Sequence, residues 1–228
     1  MSESIELVDR VTFIKQAATG RRTLHLGCTN WPYTADSIEK GMLLHFDLER
    51  MSSELYGFDF DQKGIDVLEA HGSRNLYRAD LERLDEVALE TTFETIIAGE
   101  MIEHLNNPGR FLDGVKRFMD PSTDLVITTI NAYSAMRFAM YGLRGRGGVN
   151  EPVHPDHVAY YSYRTLKLLI ERNGLVLKRF CFYDIGPEHR PFLRWFYKAI
   201  NDVSVKFSPQ LGDGVIAVCG LPGNENGR

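Results

Sequence analysis

The feature that most constrains the fold of this chain is an alternation of short apolar runs with segments of helical periodicity. Five runs of strand length end at Gly27, Phe60, Ala79, Gly99 and Ile130. Between them, residues 62–72 and 108–119 repeat apolar side chains at the spacing of an amphipathic helix. Strands that alternate with helices predict a parallel sheet covered on both faces. The predicted fold class is therefore α/β and doubly wound.

The last third of the chain departs from this rhythm. Residues 162–174 and 191–203 have helical patterns, and 175–184 and 213–222 read as two more strands, which would add an antiparallel edge. Residues 131–161 fit neither pattern, and we interpret them as a lid-like insertion. At 228 residues the chain fits one domain, 1–228.

Composition narrows the class of protein. The 26 basic and 31 acidic residues give a net charge of −5, which disfavours a general nucleic-acid binder. No stretch approaches the roughly 18 apolar residues of a membrane span. Three widely separated cysteines, Cys28, Cys181 and Cys219, are typical of reduced buried thiols. We expect a cytoplasmic protein without a membrane span.

A turn with a single glycine follows the first of the five strands. Gly27 allows the backbone to approach a ligand, but the next residues are Cys28, Thr29, Asn30 and Trp31, with bulky or polar side chains where a dinucleotide turn needs further glycines. This disfavours a pyrophosphate cofactor, and with it a nicotinamide-dependent oxidoreductase. Asp59, at the end of the second strand, can accept hydrogen bonds from ribose hydroxyls, and Asp80 can accept one from an adenine amino group. Either aspartate could equally cap a turn.

The motifs LHLGC, LYGFDFDQKGI, LYRADLERL, FETIIAGEMIEHLNNPGRFL and DLVITTINAYS stand in this order along the chain. Together they resemble the successive motifs of class I S-adenosylmethionine-dependent methyltransferases, over roughly residues 22–183. The resemblance is closest to the small-molecule O-methyltransferase branch that includes the ubiquinone-pathway enzymes. It implies a seven-stranded sheet whose final strand is antiparallel.

By the same resemblance, the cofactor would contact a set of residues at the strand ends. Gly27 would face its methionine part, Asp59 its ribose, Asp80 with Leu81 its adenine, and Gly99 with Glu100 the region of the sulfonium. The implied set is completed by Cys28, Thr29 and Phe60. The chain departs from the family where His25 replaces an acidic residue and where Thr29 and Trp31 replace glycines. A protein that keeps the fold and binds without catalysis is the alternative.

The run GEMIEHL places Glu100, Glu103 and His104 beyond the fourth strand. Spacings of three and four bring side chains to one face of a helical turn, and converging carboxylates favour a cation such as Mg²⁺ or Mn²⁺. The run also resembles the metal motif of small-RNA 2′-O-methyltransferases, in which a later histidine completes the site. His157 matches that position better than His154. We predict a metal site of Glu100, Glu103, His104 and His157.

Two other readings of this run stay open. In the first, His104 acts as a metal-free general base with Glu103 beside it. In the second, the glutamates only cap the following helix. The insertion and its edge carry many tyrosines and arginines, which suit a sugar or another small polar acceptor. These are Tyr133, Tyr141, Tyr160, Tyr161, Tyr163, Arg137, Arg144 and Arg146.

Residues 154–175 also resemble methyltransferases that accompany polysaccharide biosynthesis. The sequence therefore predicts O-methylation of a sugar or a related hydroxyl. An RNA 2′-O-methyltransferase is a further alternative, suggested by the metal motif alone and disfavoured by the acidic charge balance.

Overall fold

The computed structural model of this protein describes residues 6–143, 156–186 and 190–223. In these ranges eight strands form one sheet, in the spatial order β1-β7-β8-β6-β5-β2-β3-β4. The strands are β1 (Leu7–Val8), β2 (Arg22–Leu26), β3 (Glu54–Asp59), β4 (Leu76–Arg78), β5 (Phe93–Gly99), β6 (Met119–Ile130), β7 (Val176–Tyr183) and β8 (Gly214–Gly220). The predicted doubly wound α/β class is confirmed.

Helices lie between most of these strands. They are α1 (Arg10–Ala18), α2 (Thr34–Glu39), α3 (Leu44–Met51), α4 (Gln62–Ala70), α5 (Pro108–Val115), α6 (Ala135–Arg137), α7 (Tyr163–Arg172) and α8 (Trp195–Phe207). Asp61 caps α4 by accepting from the Gly64 amide at 3.0 Å. Ser162 and Thr165 form a reciprocal capping box at the start of α7, as the serine at that position predicts.

All seven predicted strands are present, but the prediction differs from the structure in two respects. The two residues of β1 add an eighth strand, parallel to β7 at the edge of the sheet. The final strand, β8, is antiparallel as predicted, yet it lies inside the sheet between β6 and β7 and pairs with both. The antiparallel strand β8 is therefore interior, because β7 and then β1 lie between it and the edge of the sheet.

Both faces of the sheet are buried. In β5, Ile96 and Ala98 contribute to the apolar layer on one face, while Ile97 contributes to the layer on the other. Successive side chains of a strand point to opposite faces, so a strand covered on both sides reads as a continuous apolar run. Strands β2, β3, β5 and β6 pair in parallel, so their carboxyl ends lie at one edge of the sheet, and polar residues follow each of them.

The insertion is attached at both ends. After β6, Asn131 bridges to Tyr161, and the Ala132 amide donates to the Tyr161 carbonyl at 2.8 Å. Helix α6 and a π-helical segment, Phe138–Leu143, follow. Arg144, Arg146 and His154 lie outside the described residues, so the lid-like insertion and the single-domain division remain predictions. Across the described ranges, no helix combines the length and apolar character that a membrane crossing requires.

Candidate functional site

The turn after β2 is built around Gly27. Its φ of +73° lies in the left-handed region that glycine adopts without a steric penalty, and its amide donates to the Phe58 carbonyl at 2.8 Å. The Cys28 amide bonds to the same carbonyl at 3.3 Å, and its side chain is buried with that of Thr29. These two hydrogen bonds hold the turn after β2 beside the end of β3. Asp59 is the residue after Phe58, so it lies next to the turn.

Asp59 is the most fully hydrogen-bonded of the predicted cofactor residues. Its Oδ2 accepts from the Thr29 amide at 2.9 Å and from the Thr29 hydroxyl at 2.8 Å, while its Oδ1 accepts from the Asp61 amide at 3.0 Å. Only 3% of Asp59 is exposed. Thr29, which stands where the family has glycine, thus orients the carboxylate with its own side chain.

Asn30 adopts a backbone conformation that is usually found at glycine. It has a positive φ of 59°, a conformation that asparagine tolerates better than most residues, and its amide donates to the Ser37 hydroxyl at 2.7 Å. The Tyr33 amide then donates to the Asn30 carbonyl at 2.8 Å. The chain consequently turns back at once, and Trp31 lies at the surface beside Phe60.

A pair of buried histidines lies beneath this turn. The Nδ1 atoms of His25 and His45 are 3.2 Å apart, and the two rings stack at a centroid distance of 5.4 Å. Two neutral imidazoles of opposite tautomer satisfy this contact, since one donates and the other accepts. Burial lowers the pKa of both, that of His45 to about 4. His25, in the position of the family's acidic residue, therefore forms a neutral structural pair.

This pair gives the protein a predictable sensitivity to acid. In the unfolded chain both imidazoles take up protons near pH 6.5, whereas the folded protein keeps them neutral down to lower pH. Their contribution to stability is present above pH 6.5 and is lost as the pH falls towards 4. We expect His45→Gln to reduce the fall in unfolding free energy between pH 6.5 and 5 by about 1.4 kcal/mol per pH unit.

Urea unfolding at several pH values measures this slope. His71→Gln is the matched control, because His71 is exposed and its ring contacts only the Val67 carbonyl among the hydrogen bonds described for it. A His45→Gln slope equal to that of the wild type would contradict the prediction.

The remaining predicted cofactor residues lie along the same edge of the sheet. Asp80 is exposed and accepts from the Glu82 amide at 2.9 Å, so it also caps a turn. Leu81 packs against the main core, whereas Phe60 is 56% exposed. Gly99 ends β5, and Arg10 of α1 lies beside it: a Cβ atom on Gly99 would be 3.9 Å from Arg10 Nη1.

Glu100 does not share a helical turn with Glu103 and His104, contrary to the expectation from their spacing. Its φ is +52°, a left-handed conformation that breaks the chain direction between β5 and a 3₁₀ turn at Ile102–His104. Its carboxylate instead accepts a short hydrogen bond from the buried Tyr183 hydroxyl, which also bonds to the Thr129 carbonyl at 3.2 Å. The described structure thus separates Glu100 from the other predicted metal ligands.

Glu103 is almost completely buried, with 1% of its surface exposed. The Thr129 hydroxyl donates to its Oε2 at 2.8 Å. Burial, and secondly the negative charge of Glu100, raise the pKa of Glu103 to about 8. In the absence of a nearby cation, this carboxyl group is therefore mostly protonated at neutral pH.

His157, near the end of the insertion, lies close to Glu103. The Val158 amide donates to the Glu103 carbonyl at 2.9 Å, which holds the preceding residue beside His104. The rings of His104 and His157 are 4.7 Å apart and nearly perpendicular. One potential ligand atom from each of Glu103, His104 and His157 lies within 4.8 Å of the others. Three of the four predicted metal ligands therefore meet at one point.

The predicted acceptor-side residues fall into exposed and structural groups. Tyr133 and Tyr160 are exposed, the Tyr160 ring lies 6.3 Å from that of His157, and Tyr163 packs edge-on against Phe180. Tyr161 is buried, and burial raises its pKa to about 12. Arg137 is not available for an anionic acceptor, because it forms a buried double hydrogen bond with Asp213 and donates to Tyr141.

Two residues of the site escaped the sequence reasoning. Tyr183 is 83 positions from Glu100, and no motif links them. Arg10 precedes every recognisable motif, yet its guanidinium lies 6.0 Å from the centroid of the Tyr183 ring and beside Gly99. The apolar end of β7 gave a weak signal for Tyr183, whereas nothing in the local pattern pointed to Arg10.

The antiparallel strand within an otherwise parallel sheet, together with the polar edge beyond β2, β3 and β5, defines a class I S-adenosylmethionine-dependent methyltransferase fold. Residues 10–178 match the methyltransferase domain family Methyltransf_23. The chain belongs to this family, and the resemblance found in the sequence is confirmed.

Individual relatives agree with this assignment. The ubiquinone biosynthesis O-methyltransferase of Bradyrhizobium diazoefficiens is 24% identical over 172 residues, which cover 71% of this chain and 64% of that protein. The enzyme of the same name from Hahella chejuensis is 28% identical over 129 residues, which cover 54% and 49%. The chain thus spans less than two thirds of either relative.

A solved structure shows the same fold. A S-adenosylmethionine-dependent methyltransferase from Archaeoglobus fulgidus superimposes with a TM-score of 0.56 at 20% identity, over 91% of this chain and 89% of that one. At this identity the likeness concerns the fold alone.

Proposed function

We propose that this protein transfers a methyl group from S-adenosylmethionine to a hydroxyl of a small polar acceptor. The observation that carries the proposal is the position of two chemically different groups on one edge of the sheet. Asp59 ends β3, Glu103 and His104 follow β5, and β2 pairs with both strands. Strands are spaced by about 4.8 Å, so a nucleoside held at Asp59 can reach the second group.

The donor side suits a nucleoside without phosphates. Bound S-adenosylmethionine would supply an electrophilic methyl group on its sulfonium. Asp59 Oδ1 accepts one described hydrogen bond, from Asp61, and a carboxylate oxygen can accept a second, from a ribose hydroxyl. Gly27 and Gly99 leave room along the edge. We assign Phe60, Asp80, Leu81 and Glu100 to the surrounding wall, and Cys28 to the turn backbone, because its side chain is buried.

Replacing Asp59 tests the donor side. Hydrogen bonds to a charged acceptor contribute about 1.5–3 kcal/mol, so we expect Asp59→Asn to weaken S-adenosylhomocysteine binding by roughly tenfold to a hundredfold. Isothermal titration calorimetry measures this change.

Thr29→Val is the matched control, because it removes one internal donor to Asp59 and keeps the carboxylate. We expect it to bind S-adenosylhomocysteine at least as well as Asp59→Asn. Unchanged affinity in folded Asp59→Asn would remove Asp59 from the cofactor site.

On the acceptor side, His104 is the proposed general base. Methyl transfer needs the acceptor oxygen in line with the methyl carbon and relieved of its proton. His104 is half-buried beside His157, and an imidazole nitrogen is a group that can accept that proton. Glu103, held by Thr129, lies beside the same acceptor position and completes the pair of proposed catalytic residues.

The same three side chains suit a divalent metal. Glu103, His104 and His157 present one carboxylate and two imidazoles, so the donor set favours Mn²⁺ or another transition ion more than Mg²⁺. A bound cation would supply Lewis acidity that lowers the pKa of the acceptor hydroxyl. Glu103 would then be ionised, since a cation offsets the burial that raises its pKa. We include Glu100 only as a nearby negative charge.

For the acceptor we propose a sugar or a glycoconjugate precursor, on the basis of the exposed Tyr160 ring beside His157. A second candidate comes from the relatives, which are named for ubiquinone biosynthesis and suggest an aromatic hydroxyl. The distinction matters because a catechol can offer two adjacent oxygens to one cation.

One screen separates these acceptors. We would measure S-adenosylhomocysteine formation against nucleotide sugars, glycans, catechols and RNA, each with Mn²⁺, with Mg²⁺ and with a chelator. Turnover of a sugar or catechol supports the proposal, and turnover of RNA alone contradicts it. Binding of the cofactor with no turnover of any acceptor would favour the non-catalytic alternative.

A further inference from the structure

Two large aromatic rings lie exposed at the end of β3, next to the carboxylate of Asp59. Trp31 is 48% exposed and Phe60 is 56% exposed. Their ring centroids are 5.3 Å apart, and the ring planes are inclined by 67°. The two rings therefore form an open corner, in which a flat ligand can stack on one ring and contact the edge of the other.

The backbone fixes the position of this corner relative to Asp59. Thr29 makes two hydrogen bonds to the Asp59 carboxylate, and Trp31 follows two residues later. The Tyr33 amide closes the turn on the Asn30 carbonyl at 2.8 Å, and the Asn30 side chain is tied to Ser37. Phe60 follows Asp59 directly in the chain. Both rings are thus attached to the segments that hold the proposed ribose acceptor.

We propose that Trp31 completes an aromatic clamp on the adenosyl part of the cofactor. Phe60 already belongs to the cofactor set that the family resemblance implies, and Trp31 is the contact particular to this chain. The inference rests on the proposed function and adds to it a recognition mode for this chain. Glycine-rich turns bind through closely approaching backbone amides, but Thr29, Asn30 and Trp31 occupy those positions here. An adenine ring offers a flat face for stacking, and loss of such a contact typically costs about tenfold to a hundredfold in affinity.

The clamp makes Trp31 a reporter of binding. The chain has two tryptophans, Trp31 and Trp195, so Trp195→Phe leaves Trp31 as the single indole. We expect S-adenosylhomocysteine and adenosine to change the fluorescence of this protein and methionine to leave it unchanged. Wavelength and intensity that stay constant at saturating S-adenosylhomocysteine would overturn the proposal.

Affinity provides the second test. By calorimetry we expect Trp31→Ala to weaken S-adenosylhomocysteine binding about tenfold to a hundredfold, and Trp31→Phe to weaken it by less than about fivefold. Trp195→Ala is the matched control, because Trp195 is 78% exposed on α8 and should not affect binding. If Trp31→Ala does not fold, the fluorescence response of Trp195→Phe to adenosine and to methionine still decides.

The affinities for S-adenosylmethionine and for its product S-adenosylhomocysteine distinguish stacking from a charge interaction. If Trp31 contacts the nucleoside, Trp31→Ala loses affinity for S-adenosylmethionine and S-adenosylhomocysteine equally. A loss confined to the positively charged S-adenosylmethionine would overturn the clamp in favour of a cation–π contact with the sulfonium. Wild-type affinity in Trp31→Ala overturns the clamp alone. No binding of either compound to the wild type would overturn the proposed function as well.

Discussion

His104→Ala is expected to reduce methyl transfer by about 100- to 10,000-fold while S-adenosylhomocysteine still binds. The imidazole lies with Glu103 and His157, on the acceptor side of the edge and away from the Asp59 carboxylate that we assign to the donor. Its removal should therefore lower the rate constant of the chemical step and leave donor affinity within about twofold. Turnover with saturating acceptor and calorimetry with S-adenosylhomocysteine measure the two effects separately.

The companion His157→Ala distinguishes a metal from a plain base. In the metal mechanism both histidines are ligands, so His157→Ala and a chelator should each abolish turnover, and added Mn²⁺ should restore the chelated wild type. In the metal-free mechanism the chelator has no effect and His157→Ala loses much less than His104→Ala. His71→Ala, an exposed histidine, serves as the control. Full turnover in His104→Ala would remove His104 from the mechanism.

Arg137→Ala should destabilise the protein by about 3–5 kcal/mol. Arg137 Nε and Nη2 donate to the two carboxylate oxygens of Asp213 at 2.8 and 3.0 Å, and the two side chains are 18% and 7% exposed. The substitution leaves the Asp213 charge buried without its main partner. It also releases α6 from the start of β8. Urea unfolding at neutral pH measures the change.

The control for this prediction is Arg179→Ala. Arg179 pairs with Glu6 at 2.7 Å, but both side chains are about half exposed, so the expected loss is at most about 1 kcal/mol. The double replacement Arg137→Met with Asp213→Asn should recover part of the stability, because it removes the buried charge along with its partner. Equal losses in Arg137→Ala and Arg179→Ala would show that burial of the Arg137 pair is energetically unimportant.

Strands β2 to β8 were predictable because most of them are apolar runs that must be buried, and their alternation with helices indicates parallel pairing. The short strand β1, by contrast, has two residues, too few for a periodicity. Helices α2 and α3 also escaped prediction: only Thr34 and Ser37 of α2 are buried, so it presents no apolar stripe. Pairing of the final strand inside the sheet depends on long-range partners that no local pattern contains.

The site was predictable to the extent that it follows strand ends. Asp59, Gly99 and Glu103 lie at positions that the end of a strand determines. The separation of Glu100 was not predictable, because a positive φ at a glutamate has no local signature. The ion pair between Arg137 and Asp213 was not predictable either, because these residues are 76 positions apart. Arg137 alone suggested a binding site for an anion.

The interior position of β8 bears on how the protein is made. Residues 214–220 pair with β6 on one side and β7 on the other, so neither strand gains this neighbour until those residues have left the ribosome. Until then β6 carries an unpaired edge of apolar residues, which is open to association with other nascent chains. Asp213, immediately before β8, arrives at the same moment and fixes Arg137. The proposed acceptor side can therefore take its final form only after residues 213–220 have been synthesised.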